Sequence, residues 1–272
     1  MGDSKNRDPA IHRVPGSGRY VGRPFRRVDG RDKVTGVTRF ADDLEFPRMC
    51  YLRLVRSTIP HGRIVSIDFG TAEKIDGYLG SLIGTEMPET FGILPVSQDE
   101  HALCLDRVRF VGDPVAAVAA TSDDAAYEAA LRVEVEYEPL ATIASVEEAL
   151  TTPEPRIHEY GTEGNIHKKV SLRFGDLQEG FDEADLILED QVFYEGNNHL
   201  ALEQHATVAV PEDVDRITVY SSTQTPHYLH RALTRVLGIP ASRIRVVATH
   251  NGGGFGGKSD PFNHEIVAAK MA

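Results

Sequence analysis

The 272-residue chain is 41% hydrophobic and 26% charged, the balance of a soluble globular protein with one large or two ordinary domains. It has no apolar run near the roughly eighteen residues of a membrane helix and no apolar core in its arginine-bearing N-terminus, so a membrane span and a secretory signal are excluded and a cytoplasmic location is expected. Two cysteines exclude a disulfide framework and thiolate-held zinc or iron–sulfur sites, and a net charge of −12 argues against nucleic acid as a partner.

Residues 1–27 mix Gly, Pro and Arg and read as a flexible basic leader, a strap for an acidic subunit rather than a nucleic-acid arm, because aromatic interleaving is missing. Strands are predicted over 50–57 and 63–68, joined by a turn at Ile59-Pro60-His61-Gly62, then a short helix over 71–79 with Thr71 as its N-cap. The continuous apolar run 115–120 predicts a strand covered on both faces. Ser122 caps a helix over 123–131, and the alternation of Val133, Val135 and Tyr137 with Glu134, Glu136 and Glu138 predicts a half-buried strand. Ser145 and Glu148 form a capping-box pattern. This first α/β unit ends near residue 150, and 151–164 read as a linker.

A second unit follows, with strands predicted over 169–174, 186–194, 206–210, 217–221 and 244–248. A helix is predicted over 226–237, stopped by Gly238 and Pro240. After the glycine loop, Phe262, Ile266, Val267 and Met271 have near-helical spacing. That helix reaches Ala272 on its apolar face without a cap, which reads as a polypeptide that continues or is split.

Asn251-Gly252-Gly253-Gly254-Phe255-Gly256-Gly257-Lys258 is the sharpest feature. So many glycines let backbone N–H groups approach an oxyanion closely, and the following helix is expected to add its dipole. Gly252, Gly254 and Gly257 fit G-x-G-x-x-G, but the return strand and acid of a dinucleotide site are missing. Gly252 to Ser259 also fits G-x-x-x-x-G-K-[ST], so a nucleotide-binding protein is one reading, although no Walker-B acid follows. His227 and His230 lack the glutamate of a zinc-protease helix, and a protein-bound metal is not expected.

The chain resembles the xanthine dehydrogenase/aldehyde oxidase family of molybdenum hydroxylases. The likeness is carried, in order, by Arg27-Val28-Asp29-Gly30, Arg56-Ser57 with His61-Gly62-Arg63-Ile64, Val108 to Ala116, Leu202-Glu203, Ser222-Thr223-Gln224 and Gly252 to Lys258. Phe91-Gly92-Ile93-Leu94-Pro95 is most like the 4-hydroxybenzoyl-CoA reductase alpha-subunit branch. The resemblance implies an α/β (α+β) fold, with an α/β hammerhead domain over 28–150 and, over 165–272, the first, incomplete part of a molybdopterin-binding domain. It implies an oxidoreductase acting on an aromatic, aldehyde or N-heterocyclic substrate. The molybdenum cofactor would be held by its own sulfurs with no direct protein ligand. Iron–sulfur clusters, and FAD, would lie on partner subunits.

By the same resemblance, Gln224 matches the glutamine that hydrogen-bonds an oxygen on the molybdenum, and Gly254, Phe255 and Gly256 match backbone contacts to the cofactor. Ser259 stands where xanthine-oxidising members often carry glutamate, which speaks against a purine substrate. Ser259 and Glu203, the latter with His199 and His205, are candidates to stand near the substrate. The family's catalytic base lies in a C-terminal half not present here, so this chain alone is expected to be inactive and to need that half. A non-catalytic assembly module is the remaining alternative.

Overall fold

The structure, a computed structural model, describes residues 24–94, 97–159, 161, 163–212 and 215–272. The expected leader therefore lies almost wholly outside the described residues. Two compact units result, Met1–Arg39 and Phe40–Ala272. In the first, α1 (Gly30–Val34) buries no side chain. Asp29 receives Arg27 and Lys33 at 3.0 and 2.9 Å, and these hydrogen-bonded cations hold its carboxyl well below the usual carboxylate range.

Among the described residues the second unit is built on three three-stranded sheets and one two-stranded ribbon, an α/β (α+β) arrangement. Strands β1 (Tyr51–Arg56) and β2 (Gly62–Asp68) form as predicted, but the turn between them does not make a hairpin. They enter different sheets. After β3 (Tyr78–Ile83) come three two-residue strands, β4 (Thr90–Phe91), β5 (Glu100–His101) and β6 (Arg107–Val108), then β7 (Pro114–Ala120). The first sheet has the order β1-β7-β3, antiparallel, with Ala117 opposite both Leu54 and Leu82. Helix α2 (Asp123–Arg132) packs on it, started by Ser122 accepting from the Ala125 N–H at 3.2 Å. The unbroken apolar run of β7 follows from this: Val118 packs under α2 with Ala129, while Ala117 faces the main core. The second sheet, β6-β2-β8 with β8 at Glu134–Pro139, shows the predicted alternation of half-buried Val135 and Tyr137 with exposed glutamates.

The helix expected over 71–79 is corrected. Only a 3-10 turn forms at Ala72–Lys74, the Thr71 side chain caps nothing, and strand β3 takes up the rest. Gly77 turns the chain at φ +88, in the left-handed region a continuing helix cannot use. Ser145 accepts from the Glu148 N–H at the start of α3 (Val146–Thr151), and the Glu148 carboxylate reaches back to the Ala144 N–H. A second exposed helix, α4 (Leu177–Asp182), is capped by Asp176.

The third sheet has the order β11-β10-β9, from β9 (Thr207–Glu212), β10 (Arg216–Ser221) and β11 (Ile244–Ala248). β9 runs antiparallel to β10, and β10 runs parallel to β11, linked by α5 (Pro226–Leu237). Pro226 opens α5 and Gly238 closes it at φ +65, as predicted. Helix α6 (Asn263–Met271) packs against β9 and β10. Leu82, Phe91 and Leu103 share one buried cluster with Val219, Leu229, Leu233 and Ile266, so the first and third sheets have a common core.

Two predicted strands are absent. Residues 169–174 and 186–194 run without sheet partners among the described residues, and Phe174, Val192 and Phe193 are 88–89% exposed. The alternation of 169–174 is real, but a strand is defined by a neighbour that takes its N–H and C=O groups.

Candidate functional site

Parallel β10 and β11 place their C-terminal ends side by side. From β10 the chain passes through Ser222-Thr223-Gln224 into α5, and from β11 it passes into the glycine loop. Backbone and side-chain bonds then lace the two exits together. Gln224 N donates to Lys258 O at 2.8 Å, Thr225 Oγ1 to Ser259 O at 2.6 Å, and Asn251 Nδ2 to Thr223 O at 3.3 Å.

Gln224 and the Phe255–Gly256 bend are thereby brought into contact. Gln224 Oε1 accepts from the N–H of Gly256 at 3.1 Å and of Lys258 at 3.3 Å, and from Ser259 Oγ at 3.4 Å. Converging donors decide which end of the amide is oxygen. Nε2 consequently points away, donates to no acceptor among the described residues, and stays exposed. A Cβ on Gly254 would lie 2.4 Å from Gln224 Cδ and Oε1, so only glycine lets the loop lie against the amide. Gly256 sits at φ +89 with open space where a Cβ would be, a bare stretch of backbone facing outward. The N–H groups of Gly253, Gly254 and Phe255 also find no acceptor among the described residues. Phe255, at φ +52, is 74% exposed and does not plug the core.

The loop's other face is ionic. Lys258 is 1% exposed, and its Nζ donates to Glu203 Oε2 at 2.7 Å and Glu203 O at 2.9 Å. The Gly252 N–H donates to the same carboxylate oxygen at 2.7 Å. The P-loop reading fails here: a phosphate-binding lysine must face the ligand, and this one is turned into the protein. Glu203 lies against the loop, with Oε2 engaged by Lys258 and Gly252. Ser259, half-buried, stays beside Gln224. His205 donates from Nε2 to Gly257 O at 2.8 Å, and the His199 ring lies where a Cβ on Gly257 would come within 2.8 Å. His205 also lines a cavity of about 240 Å³ with Arg56, Phe110, Phe262 and His264. Burial, helped by His205 and Arg56, pushes the His264 imidazole down to about 3.

The helix after the loop does not aim its dipole into it. α6 starts only at Asn263, and the Phe262 N–H ahead of it is taken by Glu265 at 2.7 Å. It is α5 that starts two residues after Gln224. Glu265 also shares a buried hydrogen bond with Ser221 at the end of β10, and burial pushes its carboxyl up to about 7 against those two bonds. Sequence reasoning gave no role to Glu265, and it did not join Lys258 to Glu203. The only signal was the order of short motifs, because the partners stand 44 and 55 residues apart.

Comparison with known proteins decides the family. Residues 35–141 match the aldehyde oxidase and xanthine dehydrogenase a/b hammerhead domain, and residues 157–272 match the molybdopterin cofactor-binding domain. The chain belongs to the xanthine dehydrogenase and aldehyde oxidase family. It is 39% identical to a probable xanthine dehydrogenase subunit of Bacillus subtilis (strain 168), over 93% of this chain and 33% of that protein. It is 38% identical to the nicotinate dehydrogenase large molybdopterin subunit of Eubacterium barkeri, over 88% of this chain and 56% of that protein. The quinoline 2-oxidoreductase structure from Pseudomonas putida 86 superposes with a TM-score of 0.82 at 27% identity, covering 90% of this chain and 32% of that one. The chain thus spans from a third to just over half the length of the curated relatives named here.

Within the family's cofactor-binding match fall the third sheet, α5, α6, the glycine loop and both supporting carboxylates. What the site leaves without acceptors among the described residues is a set of neutral donors: one amide NH₂ and three backbone N–H groups. Such a set suits an oxygen-rich, electron-rich group and supplies no ligand to a bare cation. Among the described residues, no group of three His, Cys, Asp or Glu side chains is placed to hold a metal ion. The residues present therefore fit a metal carried by its own organic ligand.

Proposed function

We propose that this chain is the hammerhead and first cofactor-binding portion of a molybdenum-dependent oxidoreductase, and that Gln224, Gly254, Phe255 and Gly256 receive the molybdenum cofactor. The observation that carries this reading is the division of the Gln224 amide. Its carbonyl is spent on the loop, while its NH₂ and the N–H groups of Gly253, Gly254 and Phe255 find no acceptor among the described residues. The cofactor, when bound, supplies the two-electron chemistry of adding or removing a hydroxyl at carbon. The chain's residues orient it. Nε2 of Gln224 would donate to one of its oxygens without competing as a ligand, and the bare backbone of Gly256 would let it come close.

Domain limits follow the same reading: hammerhead over 28–150, linker over 151–164, cofactor domain from 165. The substrate is aromatic, an aldehyde or an N-heterocycle. Nicotinate and quinoline, in the names of two similar proteins, are N-heterocycles and favour the last. A 4-hydroxybenzoyl-CoA reductase-like activity rests on residues 91–95, of which Pro95 lies outside the described residues. Ser259, which donates to Gln224 Oε1 at 3.4 Å, would stand near the substrate on this reading. The partners are an iron–sulfur subunit, a flavoprotein subunit and the rest of the cofactor domain, which would cover the exposed apolar side chains between 170 and 202. No described helix is long and apolar enough to cross a membrane.

The test is molybdenum and pterin content of the full protein purified with its partners. Wild type is expected to hold both, and Gly254→Ala, which drives a Cβ into Gln224, to lose about tenfold or more in retained pterin, the equivalent of about 1.4 kcal/mol. Wild-type protein free of molybdenum and pterin, yet still assembled with its partners, would identify an assembly module instead.

A further inference from the structure

We infer that Glu203 and Lys258 form an internal clamp that sets the shape of the glycine loop, making both positioning residues for the group the loop receives. This rests on the proposed cofactor site for its functional half and on geometry alone for its structural half. One carboxylate oxygen, Glu203 Oε2, accepts from Gly252 N at the loop's start and from Lys258 Nζ at its end, both at 2.7 Å. Lys258 adds a second bond to Glu203 O, so the loop's two ends are tied to one residue.

The tie is buried. The Lys258 and Glu203 side chains are 1% and 11% exposed, and Glu203 Oε1 is buried without a hydrogen-bond partner. The carboxylate therefore has no other anchor, and removing either partner strands a charge away from water. Between those tied ends the loop arches through the positive-φ residues Gly253, Phe255 and Gly256. The N–H groups of Gly253, Gly254 and Phe255 are left without acceptors among the described residues, and the loop's only cation faces in. The arch holds its form through an internal counter-ion and does not wait for a ligand's negative charge, so the site is preformed.

Hydrogen–deuterium exchange on the full protein, purified with its partners, tests this. Lys258→Met is expected to speed exchange at residues 252, 256 and 258 by about tenfold or more, while amides inside α5 keep their wild-type rates. Glu203→Gln keeps an acceptor for Gly252 and should give a smaller change; it also serves as the test should Lys258→Met not accumulate as folded protein. The double variant, with no buried charge, should fall closer to wild type than Lys258→Met. Pterin content of the same samples should follow the same order. Loop exchange at wild-type rates in both single variants would overturn the clamp, as would equal acceleration in α5. Clamp-dependent exchange in a protein that never holds pterin would overturn the cofactor reading and leave the clamp standing.

Discussion

Residues 168–202 and 206–262 carry the same kind of sequence and meet opposite fates. Val170, Leu172 and Phe174 alternate with polar neighbours as clearly as Ile217 and Val219 do. Yet Val219 is fully buried, and Phe174 is 88% exposed. The difference is supply of neighbours. β10 has β9 on one side and, after the α5 crossover, β11 on the other, so every backbone group finds a partner nearby in sequence. Outside α4, the 168–202 segment has no sheet neighbour among the described residues. Alternation says which side chains a strand would bury, and pairing decides whether it becomes one. In this molecule the paired region is also the one that carries the candidate site.

That contrast breaks most sharply at Leu233. It is fully buried in the common core, at the join between α5 and the first sheet's cluster. Leu233→Ala should destabilise the chain by about 2–5 kcal/mol, the transfer term plus an unfilled cavity. Urea unfolding measures it. A cost below about 1 kcal/mol would mean that α5 is loosely seated and that the loop site lacks a rigid base.

Glu265 sharpens the comparison from the polar side, since it ties the end of β10 to the start of α6 behind the loop. Burial raises its carboxyl from an ordinary 4.5 to about 7 in the fold. Between those values the unfolded chain has already released the proton that the folded chain keeps. Stability is therefore full below about pH 4.5, falls as pH rises through 7, and then levels off, a loss on the order of 3 kcal/mol from this one group. Glu265→Gln reproduces the protonated form, with its NH₂ donating to Ser221 Oγ and its carbonyl accepting from Phe262 N. The variant should match wild type at low pH, exceed it above pH 7, and lose the slope. A slope unchanged in Glu265→Gln would move the pH dependence to other groups.

The elements that were legible in the sequence are those whose causes are local. Ser122, Pro226 and Gly238 mark helix ends by chemistry confined to a few residues, and α2 and α5 appear where they say. The glycine loop and Gln224 could be paired because a family's motif order held them together. Residues 71–79 misled because Thr71 ahead of Ala72-Glu73-Lys74 looks like a cap, whereas the turn lasts three residues, Gly77 redirects the chain, and Tyr78 begins the strand that pairs with β7. Lys258 misled for a deeper reason. The letters G-K-S state a backbone shape and a charge but not the charge's direction, which is set by a carboxylate 55 residues away. The short strands β4 to β6, two residues each, carry no periodicity to read.

The smallest effect on this chain's own stability, and the most telling for the comparison, is expected in the unpaired segment. Leu172, Val192 and Phe193 are 77%, 88% and 89% exposed, so replacing all three by Ser removes almost no buried surface. Unfolding free energy of the chain should change by no more than about 0.5 kcal/mol per site. Contiguous apolar side chains left in water nonetheless carry a cost that only a covering surface removes, and the relatives' additional length could provide one. In the full protein the same triple substitution should therefore impair recovery of the assembled, pterin-bearing form while the chain's own melting stays as it was. A clear loss of stability in the chain alone would show that it folds this segment over itself. Unimpaired assembly would show that the alternation marks a solvent face, and the likeness between the two regions would end at the level of pattern.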